Sequence, residues 1–293
     1  MKLYILLFFT LMFFSCKHDK SNAIINDAYK TEFSTYRENL SKERVNYLQL
    51  VGLFKLDAAD NTFGKDSIND FTLNINALPK TIGSVSVLKD DLLFNASKDV
   101  IVKTKEDSII SSMSLKLDSY GSSIKLYYKQ LNWQVITRAG QKYLRVWDIK
   151  NPAIEAFKGF YCFELNLDYI LEGEFTYFEK AKTEAVHSQL GVNTDTNFIG
   201  VVTFNFNGET HSLDVGQDGF TMVSDDTTGD STYGGGRYIY LNIPETNGSV
   251  TLDFNRLYNP PCSFSEFTTC LYPPRQNVLP FKILAGEKID LKR

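Results

Sequence analysis

Histidine is scarce in this sequence: 293 residues hold three, His18, His187 and His211. They stand far apart, and neither His-Glu-x-x-His nor a paired Cys-x-x-Cys occurs, so a zinc site has no support and no metal is expected. No Gly-x-Ser-x-Gly elbow is present, which removes the nucleophile of the α/β-hydrolases. Asp225, Asp226 and Asp230 are close in sequence but lack the central Gly and terminal Glu of a calcium loop, and they read as an acidic turn. The net charge is only −4 and no long run of one sign appears, so nothing argues for nucleic acid or for a basic membrane-binding face. No cofactor motif is found, nor an internal repeat.

What is there begins at the N-terminus. Met1-Lys2 is a short positive start, and residues 3–14 are apolar apart from Tyr4 and Thr10. About a dozen residues is shorter than the roughly 20 that cross a bilayer as a helix, so residues 1–15 read as a signal peptide. Phe14-Ser15-Cys16 resembles a bacterial lipoprotein signal, although Phe13 replaces the leucine usual there; the plainer alternative is a secretory signal with an incidental cysteine. On the lipoprotein reading Cys16 is lipidated, residues 16–22 form a polar tether, and the partner is a membrane held through that lipid. Lys17 does not resemble the aspartate that retains some lipoproteins at the inner membrane, which favours the outer one. Export implies an oxidising compartment, in which Cys262 and Cys270, eight positions apart, are candidates to pair. Cys162, among aromatic residues, reads as a small buried thiol.

From Asn26, a candidate N-cap, the pattern is helical. Tyr29, Phe33, Tyr36 and Leu40 fall on one face, and a second short helical piece is expected over 41–48. Gly52 changes the period. Short apolar or alternating segments follow at 53–56, 71–75, 84–88, 92–94, 100–103, 114–117, 124–128, 134–138 and 142–147, separated by polar turns. A hairpin is predicted from 198–206 and 209–215 about Asn207-Gly208, a pair suited to a type I′ turn. The fold class is therefore mainly β: an antiparallel β-sandwich or barrel with an N-terminal α-helix. The expected organisation is a helical segment over 23–50, a β-rich subdomain over 51–150 and a second over 151–293.

The candidate site lies in the last quarter. In Tyr233-Gly-Gly-Gly-Arg237-Tyr238, glycines such as Gly235 let backbone amides approach an anion, and Arg237 offers a planar fork to carboxylate or phosphate. The alternative is a tight strand entry with Arg237 paired to a nearby Asp. Asn255, Arg256, Tyr258 and Asn259, followed by Pro260-Pro261-Cys262, are rich in donors; they form either a preformed polar pocket or a buried network that orders a loop. One of the bonds before Pro260 or Pro261 is a candidate cis peptide.

Two resemblances follow from these residues. Residues 61–70, with Lys65 in place of an arginine, look like the start of a forkhead-associated domain; the later Ser-x-x-His element is missing, so the likeness implies β-sandwich geometry only. The combination of 226–229, 232–238, 252–262, 269–270 and 273–277 closely resembles the bacterial domain-of-unknown-function family 1684, and 50–54, 61–70 and 145–148 look like that family's N-terminal part. Leu271-Tyr272 departs from its Pro-Leu pair, and Cys162 is outside its pattern. The family has no assigned activity. Two functional expectations stand together: an envelope lipoprotein whose module binds a small polar or anionic ligand, with Tyr233 and Tyr258 as stacking walls, or an enzyme. In the second, Cys262 is the nucleophile beside Arg256 or Arg275, Arg237 or the glycine backbone stabilises an anion, and Asp226 or Asp253 transfers protons.

Overall fold

The structure is a computed structural model that describes residues 25–89 and 91–289. The expected signal peptide, Cys16 and the expected tether lie outside the described residues. Helix α1 (Asp27–Val45) is capped by Asn26, whose side-chain oxygen accepts the amide of Tyr29 at 2.7 Å. One helix runs where two pieces were expected, and a 3₁₀ turn (Asn46–Gln49) follows it directly. Among the described residues no helix is long and apolar enough to cross a membrane.

The next strands are β1 (Leu50–Lys55), β2 (Asp60–Gly64), β3 (Phe71–Thr72), β4 (Gly83–Leu88), β5 (Asp91–Ala96), β6 (Val102–Lys103), β7 (Ile109–Ile110), β8 (Ser112–Ser114), β9 (Leu126–Tyr128), β10 (Leu131–Arg138) and β11 (Gln141–Asp148). They build two sheets, ordered β1-β11-β10-β9-β6-β7 and β3-β2-β4-β5-β8. Pairing is antiparallel except between β2 and β3. Side chains alternate across each strand, so Trp133, Val135, Leu144 and Val146 of one sheet meet Phe63, Val85 and Phe94 of the other in a common core. Trp133 packs edge-on to Phe63 with ring centres 5.2 Å apart. The polar residues of 61–70 order loops: the Asn61 amide donates to Ala58 and Val85 carbonyls, and that of Asn69 donates to Asp66 and Lys80 carbonyls.

After a short helix α2 (Ala153–Ala156), strands β12 (Ile170–His187), β13 (Asn193–Phe206) and β14 (Glu209–Gly216) form a sheet with β17 (Gly248–Asp253), in the order β14-β13-β12-β17. A ribbon of β15 (Phe220–Val223) and β16 (Arg237–Tyr240) sits beside it. The β13–β14 turn is the one predicted: Asn207 has φ 52° and Gly208 φ 84°, the two positive angles of a type I′ turn. Phe175, Phe204, Leu252, Phe254 and Ile283 form this unit's core. The molecule is mainly β, sandwich-like and not a closed barrel, so of the two expected architectures the sandwich is the one observed.

Helix α1 packs on this second unit. Tyr29 donates its hydroxyl to Asp253 at 2.8 Å, Tyr36 donates to the Arg256 carbonyl at 2.8 Å, and Arg37 donates to the Phe160 carbonyl at 2.8 Å. Near its end Arg44 forms a two-pronged, enclosed pair with Glu287, with one N–O separation of 2.9 Å, while its guanidinium stacks 3.7 Å over Phe160. Helix α1 and the segment around Glu287 thus belong to the same unit.

Candidate functional site

The structure sends most of the residues marked by sequence inward. Arg237 has no exposed surface. It pairs with Asp225 at 2.7 Å and donates to the carbonyls of Ile283, Ala285 and Glu287, which ties β16 to the C-terminal segment; only its Nε, also buried, has no partner. Burial pushes its guanidinium below the usual range, and Asp225 is the strongest opposing influence. Asp225 is itself held by the amide and hydroxyl of Thr227 and the amide of Ile283. The expectation that Arg237 presents a fork to a ligand is therefore corrected: the fork is already filled by protein.

Gly235 and Gly236 are covered as well, while Gly234 is exposed. Gly236 has φ +77°, and a Cβ there would overlap Pro273 and lie 2.9 Å from the Val223 carbonyl. A Cβ on Gly235 would meet the Tyr233 and Tyr272 rings. These glycines let two segments approach closely; they do not form an open anion cradle.

The cluster from 253 to 259 is likewise a network. Asn255 exchanges two hydrogen bonds of 3.0 Å with the backbone of Asn166, and its amide group also donates to Asp253. Arg256 pairs with Asp253 at 3.0 Å and with Glu32 of α1, and its guanidinium lies 4.9 Å over the Tyr36 ring. Burial works against the Arg256 charge, but Glu32 and Asp253 outweigh it and raise its pKa. Asn259 donates its backbone amide to Glu287 at 2.8 Å and its carbonyl accepts from Arg44. Among the described residues all peptide bonds are trans, including those before Pro260 and Pro261, contrary to the expected cis bond. Cys262 and Cys270 are joined as a disulfide, with Cα atoms 6.1 Å apart. A sulfur so bonded is no thiolate, which leaves the enzyme reading without its nucleophile. Arg275 and Asp226 are exposed. Among the described residues Cys162 is the free thiol; it is half-buried where a buried one was expected, and burial pushes its pKa up to about 12.

An open cleft lies next to this network. Between α1 and the β15–β16 ribbon is a cleft of about 540 Å³, lined by Tyr36, Tyr47, Tyr238, Tyr240, Tyr258 and Phe220, with Asn39, Glu43 and Arg44 from the helix. Phe220 packs edge-on to Tyr238 at 4.9 Å, and Tyr238 stands at 89° to Tyr258 at 5.9 Å, so the rings make a stepped wall. Burial raises the pKa of the Tyr36, Tyr238, Tyr240 and Tyr258 hydroxyls, which keeps them neutral and able to donate. Of the site residues named from sequence, only Tyr258 lines this cleft; Tyr233 does not. The helix residues, Phe220 and Tyr240 escaped sequence reading as a site because they converge from segments far apart in the chain. A smaller recess of about 240 Å³ shares Tyr47, Phe220, Tyr238 and Pro261 with the cleft and is bounded by Arg138, Arg145 and the disulfide loop. Among the described residues no group of three or more His, Cys, Asp and Glu is placed to hold a metal ion.

The fold and cleft define a mainly β module with an aromatic recess under an N-terminal brace helix. Residues 155–288 match the family described as "Protein of unknown function (DUF1684)", so the likeness is shown for the β12–β17 unit and its C-terminal segment. The stretches 50–54, 61–70 and 145–148 lie outside that match. An uncharacterised protein of Haloarcula marismortui, solved by NMR in solution, is 27% identical, with 47% of this chain and 80% of that one covered and a TM-score of 0.39. No curated protein matches this chain.

Proposed function

We propose that the chain is an envelope lipoprotein, anchored through Cys16 to a membrane, most simply the outer one, and that its β-rich module binds a small polar ligand in the tyrosine-lined cleft. The cleft carries the binding half of this reading: a recess of about 540 Å³ walled by rings with polar tips. That size and lining suit a small molecule, since aromatic faces supply contact area and a few fixed polar groups supply orientation. The anchor rests on the order Phe14-Ser15-Cys16 after an apolar run. The enzyme reading gains no observation, with Cys262 bonded and Asp253 engaged by Tyr29, Asn255 and Arg256.

Two measurements test the proposal. Labelled palmitate should enter the wild-type protein and not Cys16→Ser; label in both would remove the anchor. A thermal-shift panel of neutral sugars, sugar phosphates, amino acids and nucleotides should yield a stabilising class whose effect weakens in Tyr240→Ala. A wild-type protein that no member shifts, or a shift that survives Tyr240→Ala, would refute the cleft as the binding site.

A further inference from the structure

The outer face of the β9–β10–β11 sheet carries a concentration of positive charge that the chain does not neutralise. Arg145 lies between the core residues Leu144 and Val146 and so points away from the sandwich core. It pairs with Gln134 across the ladder, and Arg138, four positions further along β10, shares that face. Lys125 precedes β9 and stands next to the core residue Leu126. Among the described residues none of these three cations forms an ion pair. Arg138 donates to the carbonyl of its neighbour Thr137 at 2.7 Å, and the Arg145 Nε is buried with no partner.

Stacking on Trp147 accounts for part of this arrangement. Lys125 lies 4.2 Å over that ring, but Arg145 is 6.0 Å away, and Arg138 has no such contact. Burial, and after it the Arg138 charge, pushes Arg145 down to about 10, with Tyr47 opposing. The recess of about 240 Å³ beside the two arginines has no carboxylate in its lining, and Thr269 of the disulfide loop and Leu271 just after it also line it. Two part-buried guanidinium forks without a counter-charge suit an oxyanion that accepts two donors at each edge.

We propose that Arg138 and Arg145 bind the phosphate of a phosphomonoester whose ring portion lies in the tyrosine cleft. Two unpaired positive charges match a dianion, and Tyr47, Phe220, Tyr238 and Pro261 line both spaces, which makes the cleft the neighbour of the arginine recess. The ligand class is a sugar phosphate or nucleotide. The ring half rests on the cleft proposed above; the phosphate half does not.

The test is calorimetric and thermal titration of the full-length protein at constant ionic strength with inorganic phosphate, ribose 5-phosphate, adenosine monophosphate and ribose. Inorganic phosphate should bind weakly, and at least one of the two esters should bind about ten-fold tighter or better. Arg138→Gln and Arg145→Gln should each weaken phosphate binding about ten-fold, and Arg138→Lys should restore part of it. Tyr240→Ala should weaken the esters and leave inorganic phosphate unchanged. Without ligand, Arg138→Gln should melt no lower than wild type, because it removes a like charge; this separates a binding role from a structural one. The proposal is overturned if neither inorganic phosphate nor an ester binds, if binding survives both glutamine variants, or if no ester binds tighter than phosphate. Ribose binding that Tyr240→Ala abolishes would leave the cleft standing in each of those cases.

Discussion

Replacing Arg237 by Met separates a structural network from a ligand site. Methionine keeps most of the stem volume, so little cavity forms and the loss is electrostatic. The variant leaves Asp225 enclosed without its cation and strips guanidinium donors from the carbonyls of Ile283, Ala285 and Glu287. Breaking a buried pair from one side costs about 3–5 kcal/mol. The donors that Asp225 keeps, from Thr227 and Ile283, favour the lower part of that range. In a chain of this size 1 kcal/mol moves the melting midpoint by about 2 °C, so near-ultraviolet circular dichroism should show a fall of about 6–8 °C. Adding Asp225→Asn to Arg237→Met should cost less than the two single changes summed, by about 1 kcal/mol or more. A midpoint within about 1 °C of wild type, half the shift expected from a single kcal/mol, would refute the reasoning and return Arg237 to the candidate ligand contacts.

Glu287→Gln should cost about 3 kcal/mol or more by leaving Arg44 enclosed and unpaired, read as a lowered urea midpoint. Reducing the Cys262–Cys270 bond, or replacing both by Ser, should cost about 2–3 kcal/mol from loop entropy, seen in the same titration with and without reductant. Cys162 should resist iodoacetamide at pH 8 in the folded protein and react on unfolding, since a thiol raised to about 12 is almost wholly protonated there. Its stabilising contribution is complete below the unfolded thiol pKa of about 8.5 and is lost as pH rises towards 12, so stability should decline across that window. Gly208→Ala should cost about 1–2 kcal/mol by thermal melting for conformational reasons alone, as its φ is +84° and a Cβ would touch nothing.

Local signals were legible where one segment sufficed. Asn26 and the spacing of Tyr29, Phe33 and Tyr36 define α1 because cap and apolar face sit within a few turns, and Asn207-Gly208 specifies its hairpin without outside help. The alternating segments of 50–150 reveal a sandwich, though not that its loops are ordered by Asn61 and Asn69. Strand β12 was missed: its far half, residues 179–185, is largely exposed and charged, and lacks the alternation of a half-buried strand. The donor-rich cluster was visible, and a buried network was one of its two readings, but sequence alone could not choose between network and pocket. Asn255 finds Asn166, Arg256 finds Glu32, and Arg237 finds a C-terminal segment, none of which is near in sequence. The same donors facing a void would have made a site. Arg145 shows the limit clearly, because its strand placement is readable and the absence of a carboxylate opposite it is a tertiary fact.

The pairing of Arg44 with Glu287 has a temporal side. The two residues are 243 positions apart, so at roughly 5–20 residues per second the helix exists for about 12–50 s before its counter-ion is made. Tyr29 and Tyr36 need only Asp253 and Arg256, and Arg44 can stack on Phe160 earlier still, so the Glu287 pair is the last of these contacts to become available. Contacts at such separation are late and slow to form. A residue far along the chain therefore completes the fixing of helix α1.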